Sequence, residues 1–357
     1  MGSERMSLSS VSTLSLANAL SPAIERIQST LSQEEVESST GQYADLGLEL
    51  GEQSGYELSL RNQSDQLTTL TAANSVVSTN LTSTQDVLTS ISQSAQNVVN
   101  QLTAWNSADS SGSVLQTLGA NALQELTSDV NTTSNGQYLF GGENTGVAPL
   151  ADYFSTPTSA AKTAIDNAFQ TAFGVSPDSS GASSISASDL QAFLTGPFAA
   201  LFQGSSWSAD WSSASSPNAT QEIAPGQSVA VTTSANQPGV QNLAQAYAMI
   251  SEFAGSSLSS SAQQVVASTA ASLISQGMSG ITSTQATIGM VQQRISDANS
   301  MMSSQQTLLQ TQIGNLDNVN ASEVATNINT LSTQLQAAYE LTAQLQKLSL
   351  AQYLPVS

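Results

Sequence analysis

The chain has 357 residues, no cysteine and no histidine, and its 26 acidic and 6 basic residues give a net charge of −20. This composition excludes disulfides, cysteine nucleophiles, histidine bases and the usual zinc sites, and it disfavours nucleic acid or an anionic membrane as a partner. No run approaches about 18 apolar residues, so no membrane insertion is predicted.

Residues 1–40 contain a short apolar repeat at helical spacing, made by Leu20, Ile24, Ile27 and Leu31. Ser21-Pro22 has the form of an N-cap followed by the first helical residue, which predicts a helix beginning there. A short helix with a single apolar stripe needs a partner. We therefore interpret 1–40 as a polymerising segment.

Residues 41–146 are predicted to form the N-terminal half of a helical bundle. A long apolar seam begins at Leu67, and after Leu70 its steps alternate between four and three residues, which is a heptad pattern. Its members are Leu67, Leu70, Asn74, Val77, Leu81, Thr84, Leu88, Ile91, Ala95, Val98, Leu102 and Trp105. A second helix is predicted from about Val114 to Val130.

The stretch NGQYLFGGENTG, 135–146, marks a change of architecture. It lacks the spacing of a dinucleotide or phosphate loop. We expect Asn135-Gly136 to end the bundle helix at positive φ, three large side chains to fill the end of the bundle, and two glycines to turn the chain outward. This predicted bundle-to-head hinge consists of Gly136, Tyr138, Leu139, Phe140, Gly141 and Gly142.

Residues 147–255 are predicted to be an inserted, outward-facing α+β domain with its own aromatic core, because all eight phenylalanines lie between Phe140 and Phe253. The pattern predicts helices at 161–174, at 186–202 with a break at Gly196-Pro197, and at 240–253, and a hairpin within 220–235. Trp207 and Trp211 are either an exposed surface that stacks on sugars or, more commonly for such a pair, core.

Residues 256–319 are predicted to form the C-terminal half of the bundle, because an apolar residue recurs there every seven positions: Ile281, Ile288, Ile295, Met302, Leu309 and Leu316. Asn320 and Glu323 then form a capping-box pattern. It opens a predicted polymerising helix within 320–357, whose apolar stripe is Val324, Ile328, Leu331, Leu335, Ala338, Leu341, Leu345 and Leu348.

The fold class that follows is mainly α: a long antiparallel helical bundle or coiled coil built from both chain ends, with the α+β domain inserted. The helices carry Ser, Thr, Gln and Asn where coiled coils usually carry Glu and Lys, which favours packing against further copies. We call the following residues the terminal seam and predict that they drive self-assembly: Leu20, Ile24, Ile27, Leu31, Val324, Ile328, Leu331, Leu335, Leu341, Leu345 and Leu348.

No spacing that would identify a hydrolase is found among acidic residues of the middle such as Asp152, Asp166, Asp178, Asp189, Asp210 and Glu222. We predict no catalytic residue, no cofactor and no metal site. A structural subunit of a helical assembly is favoured over an adhesive, carbohydrate-binding surface protein, and a hydrolase is disfavoured.

Four stretches carry a family resemblance: MSLSSVSTLSLANAL at 6–20, EVESSTGQYADLGLELG at 35–51, NGQYLFGGENTGVAPLADY at 135–153, and 315–354. They resemble the flagellin superfamily, and within it the third hook-associated proteins of the hook–filament junction, in the form found in flagellated alphaproteobacteria. Filament subunits typically carry RLSSG and then Asp-Asp-Ala-Ala-Gly, whereas the matching region here reads ESSTGQYADLG. This difference favours a junction protein.

The resemblance implies a secreted, extracellular protein that leaves the cell through the flagellar type III apparatus and serves motility at the hook–filament junction. It also makes 1–40 an export segment as well as a polymerising one. It implies a homo-oligomeric ring that contacts an adjacent hook-associated protein and flagellin. It also implies an export chaperone on the C-terminal helix, along the seam from Val324 to Leu348. A flagellin filament subunit, or a flagellin-like adhesin that binds polysaccharide, remains the alternative.

Overall fold

The computed structural model of the protein describes residues 13–105 and 112–353, with side chains for 19–105 and 112–347. The predicted mainly α fold is confirmed, with long helices from both ends of the chain and two small hairpins in the middle. The chain divides into two compact units. The terminal unit comprises residues up to Gln66 and from Ser304 onward, and the central unit is Leu67–Ser303.

The terminal unit is built around two paired helices. It contains α1 (Thr13–Thr40), α2 (Leu46–Leu50), a 3-10 helix (Gly51–Gln53), the first turns of α3 (Ser54–Ala104), the end of α10 (Ser260–Asp317) and α11 (Ala321–Tyr353). The pairing of α1 with α11 is antiparallel, since Gln28 Nε2 donates to Tyr339 Oη at 2.6 Å and Asn327 Nδ2 donates to Glu34 Oε1 at 3.0 Å.

The sequence predicted where α1 and α11 begin, and the structure contradicts the first of these predictions and confirms the second. The predicted start of a helix at Pro22 is wrong, because α1 begins at Thr13 and Pro22 lies inside it. A proline inside a helix removes one backbone hydrogen bond, and the helix continues through it here. The predicted cap of α11 is confirmed, because the Asn320 side-chain oxygen accepts a hydrogen bond from the Ser322 amide at 3.1 Å.

In the central unit α3 and α10 run antiparallel along a buried heptad seam. Gln85 Nε2 donates to the Gln285 carbonyl at 2.8 Å, and Gln292 Nε2 donates to Thr82 Oγ1 at 3.3 Å, so numbers rise on one helix as they fall on the other. From Leu67 to Leu102 every predicted seam residue is buried except half-buried Leu70. Two further helices, α4 (Gly112–Val130) and α9 (Pro238–Phe253), complete the bundle.

The middle of the chain is a mixture of short helices and two hairpins. Its elements in order are β1 (Thr133–Ser134), β2 (Gln137–Tyr138), α5 (Ala160–Phe173), a 3-10 helix (Ser180–Ser184), α6 (Ala187–Thr195), α7 (Pro197–Ala200), α8 (Gly204–Ser206), a π-helix (Trp207–Trp211), β3 (Thr220–Ala224) and β4 (Gln227–Ala230). Strand β1 pairs with β2, and β3 with β4, both antiparallel. The predicted helix break at Gly196-Pro197 and the predicted hairpin are therefore confirmed.

An aromatic core holds these short elements together. The rings of Phe169 and Phe253 stack at 5.3 Å between centroids, and Phe193 lies edge-on to both, at 5.5 and 6.0 Å. Short helices and two-stranded hairpins are not stable alone. The concentration of phenylalanine in this part of the sequence thus supplies the apolar contacts that these elements need.

Trp207 and Trp211 belong to this core, so the core alternative is confirmed for both residues and the possible exposed ligand surface is wrong. They are 1% and 3% exposed, and their rings stack at 5.8 Å between centroids. The five-residue π-helix turns both rings inward, where Trp211 also stacks on Tyr153 at 5.3 Å. Trp207 Nε1 donates to Asn236 Oδ1 at 2.8 Å, which satisfies the only polar group on the buried ring.

Candidate assembly site

The α1 part of the terminal seam lies on one face of that helix. Leu20, Ile24, Ile27 and Leu31 are all half-buried, and the residues between them are mostly exposed. The four-three spacing keeps these side chains on one stripe of the helix. The structure therefore brings the four predicted residues together, and none of them is fully covered within the chain.

The α11 part of the seam begins as predicted and then departs by one residue. Val324 is 4% exposed, Ala338 is 8% exposed, and Ile328, Leu331, Leu335 and Leu345 are half-buried. Leu341, however, is 51% exposed. The heptad continues instead through Thr342, which is half-buried and donates its hydroxyl to the Ala338 carbonyl at 2.8 Å.

Leu341 therefore lies outside the buried stripe of α11, because a four-residue step from Ala338 reaches Thr342 instead, and its part in self-assembly stays a prediction. Leu348 lies outside the residues whose side chains are described. A half-buried threonine in the seam whose hydroxyl bonds its own helix presents mainly its methyl group to the partner. The position was detectable from the strict heptad of Ile328 and Leu335, whose next member is Thr342.

The terminal unit leaves large apolar side chains in contact with solvent. They are Val36, Leu48, Tyr56, Leu58, Leu308, Tyr339 and Leu341, and Leu48 is 80% exposed. Single exposed apolar residues are ordinary, but these add to a seam that is itself only half-covered. Each Å² of apolar surface removed from water contributes about 25 cal/mol. The terminal unit therefore holds apolar surface that packing against another chain would bury.

A charged cluster lies at the end of α10, just before the turn into α11. Arg61 on α3 forms ion pairs with Glu57, one turn earlier, and with Asp317, the last residue of α10. Asp317 is fully buried, and its carbonyl accepts from the Tyr43 amide at 3.0 Å. The hydrogen bond that Arg61 donates to Glu57, together with the charges of both acids, raises the pKa of Arg61 despite the opposing effect of burial. Sequence analysis missed this cluster, although an acid and an arginine four residues apart on a helix are a recognisable signal.

The predicted bundle-to-head hinge lies inside the central unit. Helix α4 ends at Val130, so the prediction that Asn135-Gly136 ends it is wrong. The positive φ at both residues is confirmed, at 52° and 78°, because they are the two-residue turn of the β1–β2 hairpin. Leu139 and Phe140, after the hairpin, are 6% and 1% exposed, while Tyr138 is half-buried.

Gly141 and Gly142 are held by neighbouring backbone. The Gly142 amide donates to the Thr233 carbonyl at 2.9 Å, and the Ala235 amide donates to the Phe140 carbonyl at 2.8 Å. Gly142 has φ 65°, and a Cβ there would lie 2.4 Å from the Ser215 carbonyl oxygen. This position therefore requires glycine. A hinge role for the segment stays a prediction.

Neither a metal site nor a membrane-spanning helix is found among the residues that the structure describes. Across residues 13–105 and 112–353, no three acidic side chains are grouped so that they could hold a metal ion. Within the same residues, none of the helices combines the length and hydropathy of a membrane span.

The helical regions at both ends of the chain match models of a known protein family. Residues 11–145 match the bacterial flagellin N-terminal helical region, and residues 271–354 match the bacterial flagellin C-terminal helical region. The two matches together cover more than half of the chain and flank its aromatic middle. A search of curated proteins finds no match. The chain, with its paired terminal helices and matches at both ends, belongs to the flagellin superfamily and is a structural, non-enzymatic subunit of the bacterial flagellum.

Proposed function

We propose that this flagellar subunit is a hook-associated protein that connects the hook to the filament and assembles through its terminal helices. The observation that carries the assembly role is the α1–α11 pair, whose seam is only half-buried along Leu20 to Leu31 and Ile328 to Leu335. The absence of the filament signature from 37–47, with the GQYLFGG segment at 136–142, favours the junction over the filament.

The mechanism is geometric matching between two lattices. Copies of the chain form a ring, one face of which contacts the preceding hook-associated protein while the other receives flagellin. The ring forms when seam residues that are half-exposed in the single chain become buried. This burial offsets the conformational entropy lost as the terminal helices are ordered.

Export precedes assembly and uses the same helix. The chain leaves the cell through the flagellar type III apparatus, a route that suits its lack of cysteine. An export chaperone binds α11 before secretion along the stripe of Val324, Leu331 and Leu345. Chaperone and neighbouring copies then compete for one apolar stripe, so premature assembly is blocked until the chaperone is released.

The test distinguishes the junction from the filament by position. Gold-labelled antibody against residues 147–255 is applied to intact flagella of the bacterium that carries the gene. The junction role predicts label at a single point, where hook meets filament, and label along the whole filament contradicts it.

A deletion of the gene gives a second, independent readout. We expect intact hooks without filaments, loss of motility and flagellin shed into the medium. Hooks that still bear filaments would contradict the proposal. In the adhesin alternative Trp207 and Trp211 were the residues expected to stack on sugars, and their burial excludes them from that role.

A further inference from the structure

The central unit contains an open cleft that neither the flagellar role nor the family match assigns. It has a volume of about 770 Å³ and lies between α4, α5, α9 and the turn at 176–178. Small-molecule sites commonly fall between about 300 and 1,000 Å³. All of its lining residues belong to the central unit, so the cleft is complete within one chain.

One wall of the cleft is fixed by a network of polar contacts. Lys162 Nζ donates to Glu252 Oε2 at 2.8 Å and lies 3.4 Å from Asp166 Oδ1. The Tyr153 hydroxyl donates to Glu252 Oε1 at 2.9 Å. Burial and the neighbouring Glu252 raise the pKa of Tyr153, so its hydroxyl stays protonated. These contacts hold Glu252 between two donors and give the wall a defined shape.

Other groups in the cleft have no protein partner among the described contacts. The side-chain amides of Asn167 and Gln170 project from α5 and are exposed, and the Asp178 carboxylate is exposed on the opposite turn. This turn is fixed from outside, since the Ser257 hydroxyl donates to the Asp178 carbonyl at 3.0 Å. The cleft therefore presents free donors and acceptors from two fixed walls.

An aromatic side chain completes the lining. Phe154 is half-buried, and its ring meets Tyr153 edge-on, at 5.0 Å between centroids and 88° between planes. Tyr153 in turn stacks on buried Trp211. Phe154 is thus held by the aromatic core beneath it while part of its ring remains open to the cleft.

We propose that this cleft binds a neutral saccharide. Sugar hydroxyls both donate and accept hydrogen bonds, as the amides of Asn167 and Gln170 do, and the apolar C–H face of a sugar ring packs against an aromatic side chain such as Phe154. The lining carries one lysine against the acids Asp166, Asp178 and Glu252, within a chain of net charge −20. Acidic saccharides and phosphates are therefore repelled.

The test is a titration of the full-length chain with cellotriose, maltotriose and chitotriose, followed by saturation-transfer NMR and calorimetry. Spermidine and trigalacturonate are titrated in parallel as cationic and anionic probes. We expect at least one neutral trisaccharide to bind, with ring C–H protons receiving the strongest saturation. Asn167→Ala combined with Gln170→Ala should weaken this binding by about tenfold or more, and Phe154→Ala should abolish the ring C–H signal.

The control is Gln63→Ala, an exposed amide on α3 in the terminal unit, which should leave binding unchanged. Because Asn167 and Gln170 are exposed, their double variant tests the site without disturbing the core. Binding of no neutral trisaccharide, binding that the double variant leaves intact, or binding of spermidine or trigalacturonate alone would each overturn the proposal. The flagellar role does not depend on this result, because filament attachment is scored separately.

Discussion

Asn74 is a polar residue within the apolar heptad seam of the central unit. It is fully buried, and its Nδ2 donates to the Ile223 carbonyl at 2.7 Å and to Asn299 Oδ1 at 2.8 Å. One buried asparagine in a coiled-coil seam specifies register at some loss of stability. Here the same side chain also ties the β3–β4 hairpin to the two long helices. It therefore sets the register of α3 against α10 and also holds the hairpin against them.

Replacing Asn74 with alanine should destabilise the central unit by about 1–3 kcal/mol, because two acceptors lose their donor. The measurement is the thermal unfolding midpoint by circular dichroism. Asn100→Ala serves as the control, since Asn100 is exposed on the same helix and its loss should change the midpoint little. An unchanged midpoint for Asn74→Ala would show that the contacts are dispensable.

Asp129 links stability to pH. Burial raises the pKa of its carboxyl, the charge of Glu125 raises it further, and the hydrogen bond with Ser90 opposes both. One oxygen, Oδ2, is buried without a partner. The folded chain therefore holds this proton more tightly than the unfolded chain, so the stabilising contribution is complete below the ordinary value of about 3.9 and is lost as pH rises through the raised pKa.

Asp129→Asn should consequently unfold at a higher temperature than the unmodified chain at about pH 7, and at the same temperature at about pH 3, where both side chains are neutral. Thermal melts at the two pH values measure the difference. Asp86→Asn, on the exposed face of α3, controls for the loss of one negative charge. A midpoint for Asp129→Asn that is raised equally at both pH values would contradict the linkage.

At the scale of elements, close helix packing depends on glycine. A Cβ on Gly280 of α10 would lie 2.7 Å from the Gly239 Cα on α9. A Cβ on Gly289, further along α10, would meet no atom within 4 Å. The two glycines therefore separate the effect of packing from that of helix propensity within one helix.

Gly280→Ala should destabilise the chain by about 1–3 kcal/mol through overpacking, whereas Gly289→Ala should stabilise it by up to about 1 kcal/mol because alanine favours the helix. Chemical denaturation of both variants checks the opposite signs. If Gly280→Ala stabilised the chain as Gly289→Ala does, α9 and α10 would not be packed as closely as the structure shows.

In the terminal unit the contact between elements that can be tested is the Arg61 cluster, in which Arg61 on α3 pairs with Asp317 on α10. Arg61→Met keeps much of the side-chain length and leaves the buried Asp317 carboxylate without its cation. Because the Arg61 side chain is 44% exposed, solvent screens the pair, and its loss should cost about 1–3 kcal/mol, less than the loss of a fully buried pair. We expect faster limited proteolysis at 41–53, while Arg294→Met, at an exposed position on α10, should be cleaved like the unmodified chain. Equal cleavage of Arg61→Met would show that the cluster does not hold this segment.

The elements that could be predicted from the sequence are those with a pattern repeated over many turns. The burial of a single side chain could not be predicted in the same way. The seam of α3 was predictable because a heptad over many turns averages out local exceptions such as Asn74 and Thr84. The choice of Thr342 over Leu341 was missed because hydropathy was preferred to strict spacing. The burial of Trp207 and Trp211 depends on contacts with Tyr153 and Asn236, which are distant in sequence, and no local pattern carries that information.

At the scale of the whole molecule, the chain combines two different uses of apolar surface. The central unit buries its seams and its aromatic core, so it is complete within one chain. The terminal unit leaves its seam half-covered and exposes Leu48, Tyr339 and Leu341. A subunit of this kind is stable alone in one part and is completed by neighbours in the other, which is the basis of the proposed assembly at the junction.

The most direct test places charge in the terminal seam and counts filaments. Ile328→Asp with Leu335→Asp changes two half-buried seam residues outside the proposed chaperone stripe, and it is expressed in the deletion strain beside a control with Thr330→Asp and Gln334→Asp on the exposed side of the same helix. Immunoblots of the medium establish that both variants are exported. Electron microscopy should then show bare hooks for the seam variant and filament-bearing hooks for the control. An exported seam variant that restores filaments would contradict assembly through the terminal helices.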